Sequence, residues 1–408
     1  MPITPVATPS LRSQRAVDAT AFFLADVEGG LGPYLAIYLT TLQAWPASRV
    51  GIAMAAVVAG TLVAQIPAGA LIDRARHKRA AVVAAATVVG LCSIAMVGVP
   101  QFPVIIAAQT LLGAAAALLP PALAGISLGL VGAQQLARRA GRNEAFNHAG
   151  NVVAALLAGV AGTYLGYDAI FYLVAGMAAA SALAVMLVRE REIDHSRARA
   201  ADPASHEVRL LSWLADRRVA TFGLSVFLFH FANAAMLPLV GQKVSHSQPR
   251  DAAALMSACI VAAQVVMVPV AIAAARFADR WGRKPVFLLA FAVLPVRALL
   301  YTLSVHAVFL VAVQLLDGIG AGIYGVVGVL VASDLSRGSG RFNLTLGMMA
   351  TAAGLGAASS NLLTGFVVQA AGFDRGFLFL AAIALVGLTW FALTVAETRQ
   401  PAPAAVRP

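Results

Sequence analysis

The sequence predicts an all-α membrane protein in which twelve transmembrane helices form two six-helix repeats. The first observation is composition: 60% of the 408 residues are hydrophobic and only 12% are charged, a balance foreign to water-soluble domains. The second is a series of long apolar stretches along the whole chain. The third is a pair of similar charged loops, 206 residues apart, which indicates that the second half duplicates the first.

Each apolar stretch is long enough to cross about 30 Å of hydrocarbon as a helix. The residues in these stretches are continuously apolar and do not alternate with polar ones, which favours helices over the strands of a membrane barrel. In order, the predicted spans cover residues 16–41, 49–72, 79–99, 103–131, 145–166, 168–189, 218–241, 251–278, 285–305, 307–332, 343–369 and 374–396.

The distribution of basic residues predicts the orientation of the chain in the membrane. The formal net charge is +11. If the N-terminus is cytoplasmic, 24 of the 29 Lys and Arg residues fall in cytoplasmic segments, four fall outside and one lies within a span. This asymmetry follows the positive-inside rule and places both termini in the cytoplasm. The basic charge therefore reports topology, and we expect no nucleic-acid partner.

The longest connection between spans divides the chain into two halves. We expect an N-terminal six-helix bundle at 1–188, a cytoplasmic linker at 189–217 and a C-terminal six-helix bundle at 218–408. Residues 206–214 of the linker carry apolar side chains that would share one side of a helix. This segment is either an interfacial helix at the membrane surface or part of a flexible tether.

Matches between the halves extend beyond the loops, at an offset of 205 or 206 residues. Together they favour a parallel two-fold repeat, which is an architecture of secondary transporters with the substrate site between repeats near the bilayer midplane. The further matched pairs are Gly113 with Gly318, Gly150 with Gly356, Gly159 with Gly365, Asp168 with Asp374 and Gln109 with Gln314.

The charged loops resemble the signature of the major facilitator superfamily, Gly-x-x-x-Asp-Arg/Lys-x-Gly-Arg/Lys-Arg/Lys. With twelve spans and a long central loop, the resemblance covers nearly the whole chain. The residues that match the signature are Gly69, Asp73 and Arg74 in the first copy and Asp279, Arg280, Gly282 and Arg283 in the second.

The resemblance implies alternating access, with the loop aspartates acting as latches at the cytoplasmic ends of neighbouring helices. A carboxylate facing helix N-termini and Arg residues is suited to that task; the alternative is a surface ion pair that contributes little. Two departures separate the chain from typical proton-coupled drug exporters of the superfamily. Gln109 stands where they carry Arg in span four, and span five lacks their Gly-Pro motif.

Near its middle, at roughly 15–18 Å from its start, span one carries Asp26 and Glu28. Ionisable residues inside a membrane are costly, and each is a functional candidate. One of these carboxyl groups is a candidate proton carrier. The alternative is structural: one acid caps an interrupted helix and the other is paired with a neighbour.

Span seven, the repeat partner of span one, carries His230 and Asn233. His230 is either a coupling or binding residue of the central cavity or a packing residue among aromatic side chains. Gln109 and Gln314, which are matched by the repeat, join the same set of cavity candidates.

Arg297 of span nine and Asp317 of span ten are predicted at similar depth, about 8 and 10 residues from the outer ends of adjacent helices. We favour a structural ion pair. The alternative is that Asp317, on a cavity-lining helix, contacts substrate.

Span five presents four polar residues along one stripe, at spacings of three and four residues. Near the cytoplasmic end they predict an inner gate; interhelical hydrogen bonding is the alternative. The residues are Glu144, Asn147, His148 and Asn151.

These observations predict a secondary active transporter of the bacterial inner membrane, with a small organic or drug-like solute exported against protons. Proton-coupled uptake and a non-transporting receptor or scaffold on the same fold are the alternatives. The sequence contains no phosphate-binding loop, metal-ligand pattern or catalytic constellation, so we expect no cofactor, metal or enzymatic activity. The expected partners are the substrate, protons and the lipid bilayer, and the expected state is a monomer.

Overall fold

The computed structural model describes residues 9–29, 31–75, 77–194, 216–336 and 342–399. Within these residues the chain is helical and contains no strand. The helices are α1 (Leu11–Gly29), α2 (Leu31–Thr41), α3 (Ala47–Arg74), α4 (Lys78–Gly98), α5 (Phe102–Ala116), α6 (Leu119–Tyr164), α7 (Asp168–Met186), a short 3₁₀ helix (Glu190–Glu192), α8 (Arg217–Asn233), α9 (Met236–Ser247), α10 (Ala252–Trp281), α11 (Arg283–Leu303), α12 (Ala307–Ser336), α13 (Phe342–Ala371) and α14 (Phe373–Thr394).

Eleven segments of the described residues are long and apolar enough to cross a membrane. They correspond to predicted spans two to twelve, and most of their ends lie within a few residues of the predicted ones. The first predicted span corresponds to α1 and α2, on either side of Gly30. Gly30 and the predicted linker helix at 206–214 lie outside the described residues.

The helices pack as two compact units. Of the described residues, the first unit contains those from 9 to 194 together with 237–258, and the second contains those from 216 to 236 and from 259 to 399. The first unit therefore includes α9 and the first turns of α10 in addition to the first six spans. The division into six-helix halves at the linker stays a prediction.

The regular helix is interrupted within span seven and between spans four and five. In span seven, α8 ends at Asn233 and α9 begins at Met236; the backbone N–H of Ala235 in this interruption donates to Ser360 Oγ at 3.0 Å. In α6, Gly132 has φ 71° and ψ 171°, which glycine adopts without steric cost. Gly132 thereby separates span four from span five.

The matched glycines of the two repeats make equivalent close helix contacts. A Cβ at Gly113 would lie 1.9 Å from the carbonyl oxygen of Val57, and one at Gly318 would lie 2.4 Å from that of Ala263. Both glycines bring the fourth span of a repeat against the second. Small residues permit this approach in membranes, where dispersion and hydrogen bonding drive helix association.

A second matched pair brings the fifth span of each repeat against the first. A Cβ at Gly150 would lie 2.0 Å from the carbonyl oxygen of Phe22, and one at Gly356 would lie 2.3 Å from that of Phe227. The repeat predicted from sequence is thus visible in the packing of each unit.

Candidate functional site

The charged loop of the second repeat is tied to the segment that follows span twelve. The carboxylate of Glu397 accepts hydrogen bonds from the backbone nitrogens of Arg283 at 2.8 Å and Lys284 at 3.0 Å. These nitrogens belong to the first turn of α11, where backbone N–H groups have no intrahelical partner. Glu397 therefore caps the helix that begins span nine, and its charge is favourable at the helix N-terminus.

The electrostatics of Glu397 follow from these contacts. Burial of the carboxyl group acts to raise its pKa, but the backbone N–H groups of Arg399, Arg283, Lys284 and Thr398 outweigh that effect. The pKa of Glu397 is consequently lowered from its ordinary value of 4.5. Hydrogen bonds that favour the ionised form account for this direction.

The guanidinium of Arg283, in the first turn of α11, connects the C-terminal ends of α10 and α12. It donates to Asp279 Oδ1 at 2.7 Å, to the carbonyl oxygen of Ala278 at 2.9 Å and, through Nε, to Asp334 Oδ2 at 3.2 Å. The Asp279 side chain is 74% exposed, whereas that of Asp334 is 5% exposed. Solvent screens the Asp279 pair more strongly, so Asp334 at the end of span ten is the better-shielded partner of Arg283.

The loop of the first repeat likewise connects the start of span three with the ends of spans two and six, through different residues. The side chains of Asp73 and Arg74 lie outside the described set, while the backbone of both belongs to α3. The buried Lys78 donates from its Nζ to the carbonyl oxygen of Ile72, closing the end of span two. Arg79 forms an ion pair with Glu190, which follows span six.

In each repeat, therefore, an acid just after the sixth span contacts the residues that begin the third. These acids, Glu190 and Glu397, were missed by the sequence analysis. The signal for them was present, because each lies directly after the end of a predicted span, 168–189 or 374–396.

A second charged cluster joins spans one, four and five in the first unit. Asp18 of α1 is 3% exposed and pairs with the buried Arg139. Arg142 also donates to Asp18, from Nε to Oδ1 at 2.9 Å and from Nη2 to Oδ2 at 2.7 Å. Asn143 accepts from Arg139 Nε at 2.8 Å and donates to Ser127 Oγ at 3.0 Å. Asp18 was not predicted, although it is an acid within an apolar stretch.

The four polar residues of the predicted span-five stripe have different surroundings in the structure. Asn151 donates to Asn147 Oδ1 at 3.1 Å along the same helix. Glu144 is exposed, and His148 is half-buried. The arginines that pair with Asp18, Arg139 and Arg142, lie on the same helix just before this stripe.

Asp26 and Glu28 belong to the last turns of α1, and their side chains lie outside the described set. Gln109 is buried in span four. These residues keep the roles predicted for them as hypotheses.

A buried polar group lies between spans nine and ten. Arg297 is 1% exposed and donates to Asp317 Oδ1, and Gln314 Nε2 donates to Asp317 Oδ2 at 2.8 Å. The hydroxyl of Tyr301 donates to Gln314 Oε1, and the Arg297 guanidinium lies 5.8 Å from the centre of the Tyr301 ring. The structure thus brings Arg297, Asp317 and Gln314 together.

His230 lies in an aromatic setting on span seven. Its Nδ1 is 3.0 Å from the carbonyl oxygen of Val226, one turn earlier. Its ring meets that of Tyr324 edge-on at 4.7 Å, and Phe229 stacks on the same tyrosine at 4.8 Å. Asn233, one turn further on, has a buried Oδ1 without a hydrogen-bond partner among the described residues.

Away from the charged loops, the hydroxyls of two tyrosines in the first unit contact residues at or just before the start of span eight. The hydroxyl of Tyr34 lies 2.7 Å from Ser257 Oγ, and that of Tyr167 donates to the carbonyl oxygen of Pro249 at 2.7 Å. A Cβ at Gly159 would lie 2.5 Å from Ser257 Oγ. The first turns of span eight are therefore in direct contact with spans one and five.

Comparison with protein families identifies the fold. The sequence model of the Major Facilitator Superfamily matches residues 18–273 and 260–408. The chain belongs to this superfamily. An uncharacterised transporter of the superfamily from Mycobacterium tuberculosis is 48% identical over 400 residues, covering 97% of this chain and 96% of the relative, in both strain CDC 1551 / Oshkosh and strain ATCC 25618 / H37Rv.

Solved structures of the same superfamily fold are similar over nearly the whole chain. The nucleoside transporter NupG aligns with a TM-score of 0.81 at 13% identity, covering 94% of this chain and 99% of NupG. A single-residue variant of NupG gives the same score and covers 93% of this chain. The predicted all-α membrane fold of twelve helices is confirmed, and the protein is a multi-pass secondary transporter.

Proposed function

We propose that this superfamily member exports a small organic solute in exchange for protons across the bacterial inner membrane. The observation that carries the proposal is the placement of two acids in the middle of span one, in the last turns of α1. Acids at this depth are costly unless they have a function. A carboxyl group that releases and takes up a proton there would couple solute movement to the proton gradient.

The acids Asp26 and Glu28 are assigned the coupling role in this proposal. His230, Asn233, Asp317, Gln109 and Gln314 are assigned to the solute cavity. The partly exposed carboxylate of Asp317 and the unpartnered oxygen of Asn233 support the assignment of those two residues.

The duplicated loops are assigned to the cytoplasmic gate, with Asp73 and Asp279 as latches. The network of Arg283 with Asp334 and the helix cap of Glu397 support this assignment, because they tie span nine to spans ten and twelve. The span-five residues from Glu144 to Asn151 belong to the same gate. Both termini are cytoplasmic in this proposal, the protein works as a monomer, and the halves 1–188 and 218–408 move about the linker 189–217.

The proposal is tested with purified protein in proteoliposomes that contain the pH-sensitive dye pyranine. A panel of nucleosides, organic acids and lipophilic amines is added on one side, and solute-dependent proton movement is recorded. For an exporter, protons move opposite to the added solute. Proton movement in the same direction as the solute would replace export by uptake, and solute exchange without proton movement would remove proton coupling.

Orientation is tested separately in intact cells. A single cysteine at position 200 and one within the loop at 43–49, each in a variant without Cys92 and Cys259, should react oppositely with a membrane-impermeant thiol reagent. Labelling of position 200 from outside would reverse the proposed topology.

A further inference from the structure

We propose that Asp317, Tyr324 and His230 form a recognition wall for a neutral aromatic or heteroaromatic solute that carries hydroxyl, amine or amide donors. This inference rests on the proposed transport function and names its substrate class. All three residues belong to the second compact unit, and all three are partly accessible.

Two buried donors hold the carboxylate of Asp317 in place. Arg297 and Gln314 each donate to one of its oxygens, and they are 1% and 0% exposed, whereas the Asp317 side chain is 21% exposed. The accessible part of this network is therefore the acceptor and not its donors. A carboxylate has about four lone-pair positions, so two remain for further donors.

The charge of the network decides which donors suit it. Arg297 already balances the charge of Asp317 within the pair. A cationic solute would add an unbalanced charge in a region of low dielectric, where unpaired charges are costly. A neutral hydroxyl, amine or amide group adds a hydrogen bond to a charged acceptor without that cost.

The aromatic part of the wall lies on the same face of span ten. Tyr324 follows Asp317 by seven residues, which is close to two helical turns, so the two side chains share a face about 10 Å apart along the axis. Tyr324 also contacts His230 edge-on at 4.7 Å. Between Asp317 and Tyr324 the same face carries Ala321, a partly exposed residue with a small side chain.

The distance between acceptor and rings sets the size of the solute. A molecule that stacks on Tyr324 and reaches Asp317 must be about 10 Å long with a donor at the far end. The unpartnered Oδ1 of Asn233, one turn beyond His230, is a second acceptor near the rings. A nucleoside or a phenol with a hydroxylated side chain has these features.

Accessibility of the wall is tested first. Ala321→Cys and Leu315→Cys are made in a variant without Cys92 and Cys259 and exposed in membranes to the charged reagent MTSET. Leu315 is an exposed apolar residue about 200° around the helix from Asp317, so it serves as the lipid-facing control. Labelling of Ala321→Cys alone supports the wall, and absence of labelling at Ala321→Cys overturns it.

Recognition is tested by equilibrium dialysis of the purified full-length protein with uridine, adenosine and tyrosol. Ribose, which lacks the ring, and 1,3-dimethyluracil, which lacks donors, are the matched controls and should bind at least about tenfold more weakly. Asp317→Asn should weaken binding about tenfold or more, and Tyr324→Leu about three- to tenfold.

Asp317→Asn leaves Arg297 buried without its counter-ion and is at risk of misfolding. The double variant Arg297→Gln/Asp317→Asn removes both charges and should show the same weakening. Unchanged binding in the double variant and in Tyr324→Leu overturns the wall, as does a wild type that binds none of the three probes. If the wild type still exchanges another solute in proteoliposomes, the proposed function stands and only the substrate class fails.

Discussion

The carboxylate of Glu397 lies in the space that a side chain at Gly282 would need. A Cβ at Gly282 would be 2.3 Å from Glu397 Oε2, and the backbone of Gly282 has φ +108°. The loop of the second repeat therefore needs glycine for its backbone conformation and for the approach of the acid. The corresponding residue of the first repeat is Arg76, which lies outside the described residues.

Gly282→Ala should destabilise the protein by about 1–3 kcal/mol, because the left-handed conformation is strained for alanine and Glu397 must move away. The measurement is the thermal unfolding temperature in detergent. Gly69→Ala is the matched control: a Cβ there meets no atom within 4 Å and the residue is helical, so its unfolding temperature should equal or slightly exceed that of wild type. Equal effects of the two substitutions would contradict the role of Gly282.

The helix cap of Glu397 should make stability depend on pH. Its pKa is lowered in the folded protein, so the contribution is present above the unfolded value of about 4.5 and is lost as pH falls through the folded pKa. Glu397→Gln should therefore lower the unfolding temperature at pH 6–7, and the difference from wild type should shrink below pH 4.5. Arg399→Ala keeps the backbone N–H that Glu397 accepts and should retain the pH dependence. A difference that is independent of pH would exclude the ionised cap.

Hydropathy and charge predicted the spans closely because lipid imposes a length and a composition on every crossing helix. The repeat was equally readable: Gly113 with Gly318 and Gly150 with Gly356 make equivalent close contacts in the two units. Spacing alone identified these glycines, and packing explains why no larger residue fits.

The ionic partners were harder to predict, because a sequence shows that a charge exists but not which distant charge it meets. Asp18 and Arg139 are 121 residues apart in the chain, and Glu397 is 114 residues from the nitrogen of Arg283. The pair of Arg297 and Asp317 was predictable because adjacent antiparallel spans place both at one depth. Side-chain partners across non-adjacent helices depend on helix rotation, which hydropathy does not report.

The Asp18 cluster yields a prediction on stability. Arg139 is buried, whereas the Arg142 side chain is 55% exposed. Asp18→Asn should cost about 3–5 kcal/mol, since it leaves a buried guanidinium without its counter-ion. Arg142→Gln, which removes the exposed partner only, should cost about 1 kcal/mol or less. Chemical or thermal unfolding of the two variants in the same detergent gives the comparison, and equal losses would contradict the burial argument.

The latch prediction concerns the two loop aspartates. Asp73→Asn should leave the expression level near that of wild type. It should depress the rate of solute exchange about tenfold, which corresponds to a free-energy change of about 1.4 kcal/mol. Asp279→Asn should do less, because Arg283 keeps its contact with the buried Asp334 when Asp279 is neutralised. Exchange rates in proteoliposomes at equal protein density provide the test. Unchanged exchange in both variants would mean that the charged loops determine membrane orientation and do not act as latches.

The last prediction concerns coupling. Asp26 and Glu28 are the acids in the middle of span one, and a charge at that depth is costly without a function. If one of them carries the proton, Asp26→Asn or Glu28→Gln should abolish gradient-driven accumulation of solute. Exchange without a pH gradient should survive, because solute binding and alternation need no net proton movement. We favour Asp26, with Glu28 as the substrate-facing alternative.

Transport with and without an imposed pH gradient separates the two effects. Asp251→Asn, which neutralises an exposed acid before span eight, is the control and should keep gradient-driven transport. Loss in one span-one variant with exchange intact identifies the carrier, whereas loss of exchange as well points to solute binding at that residue. If both single variants and the double variant retain gradient-driven transport, neither acid carries the proton. The coupling role then passes to Asp317 or His230, the remaining ionisable candidates of the cavity.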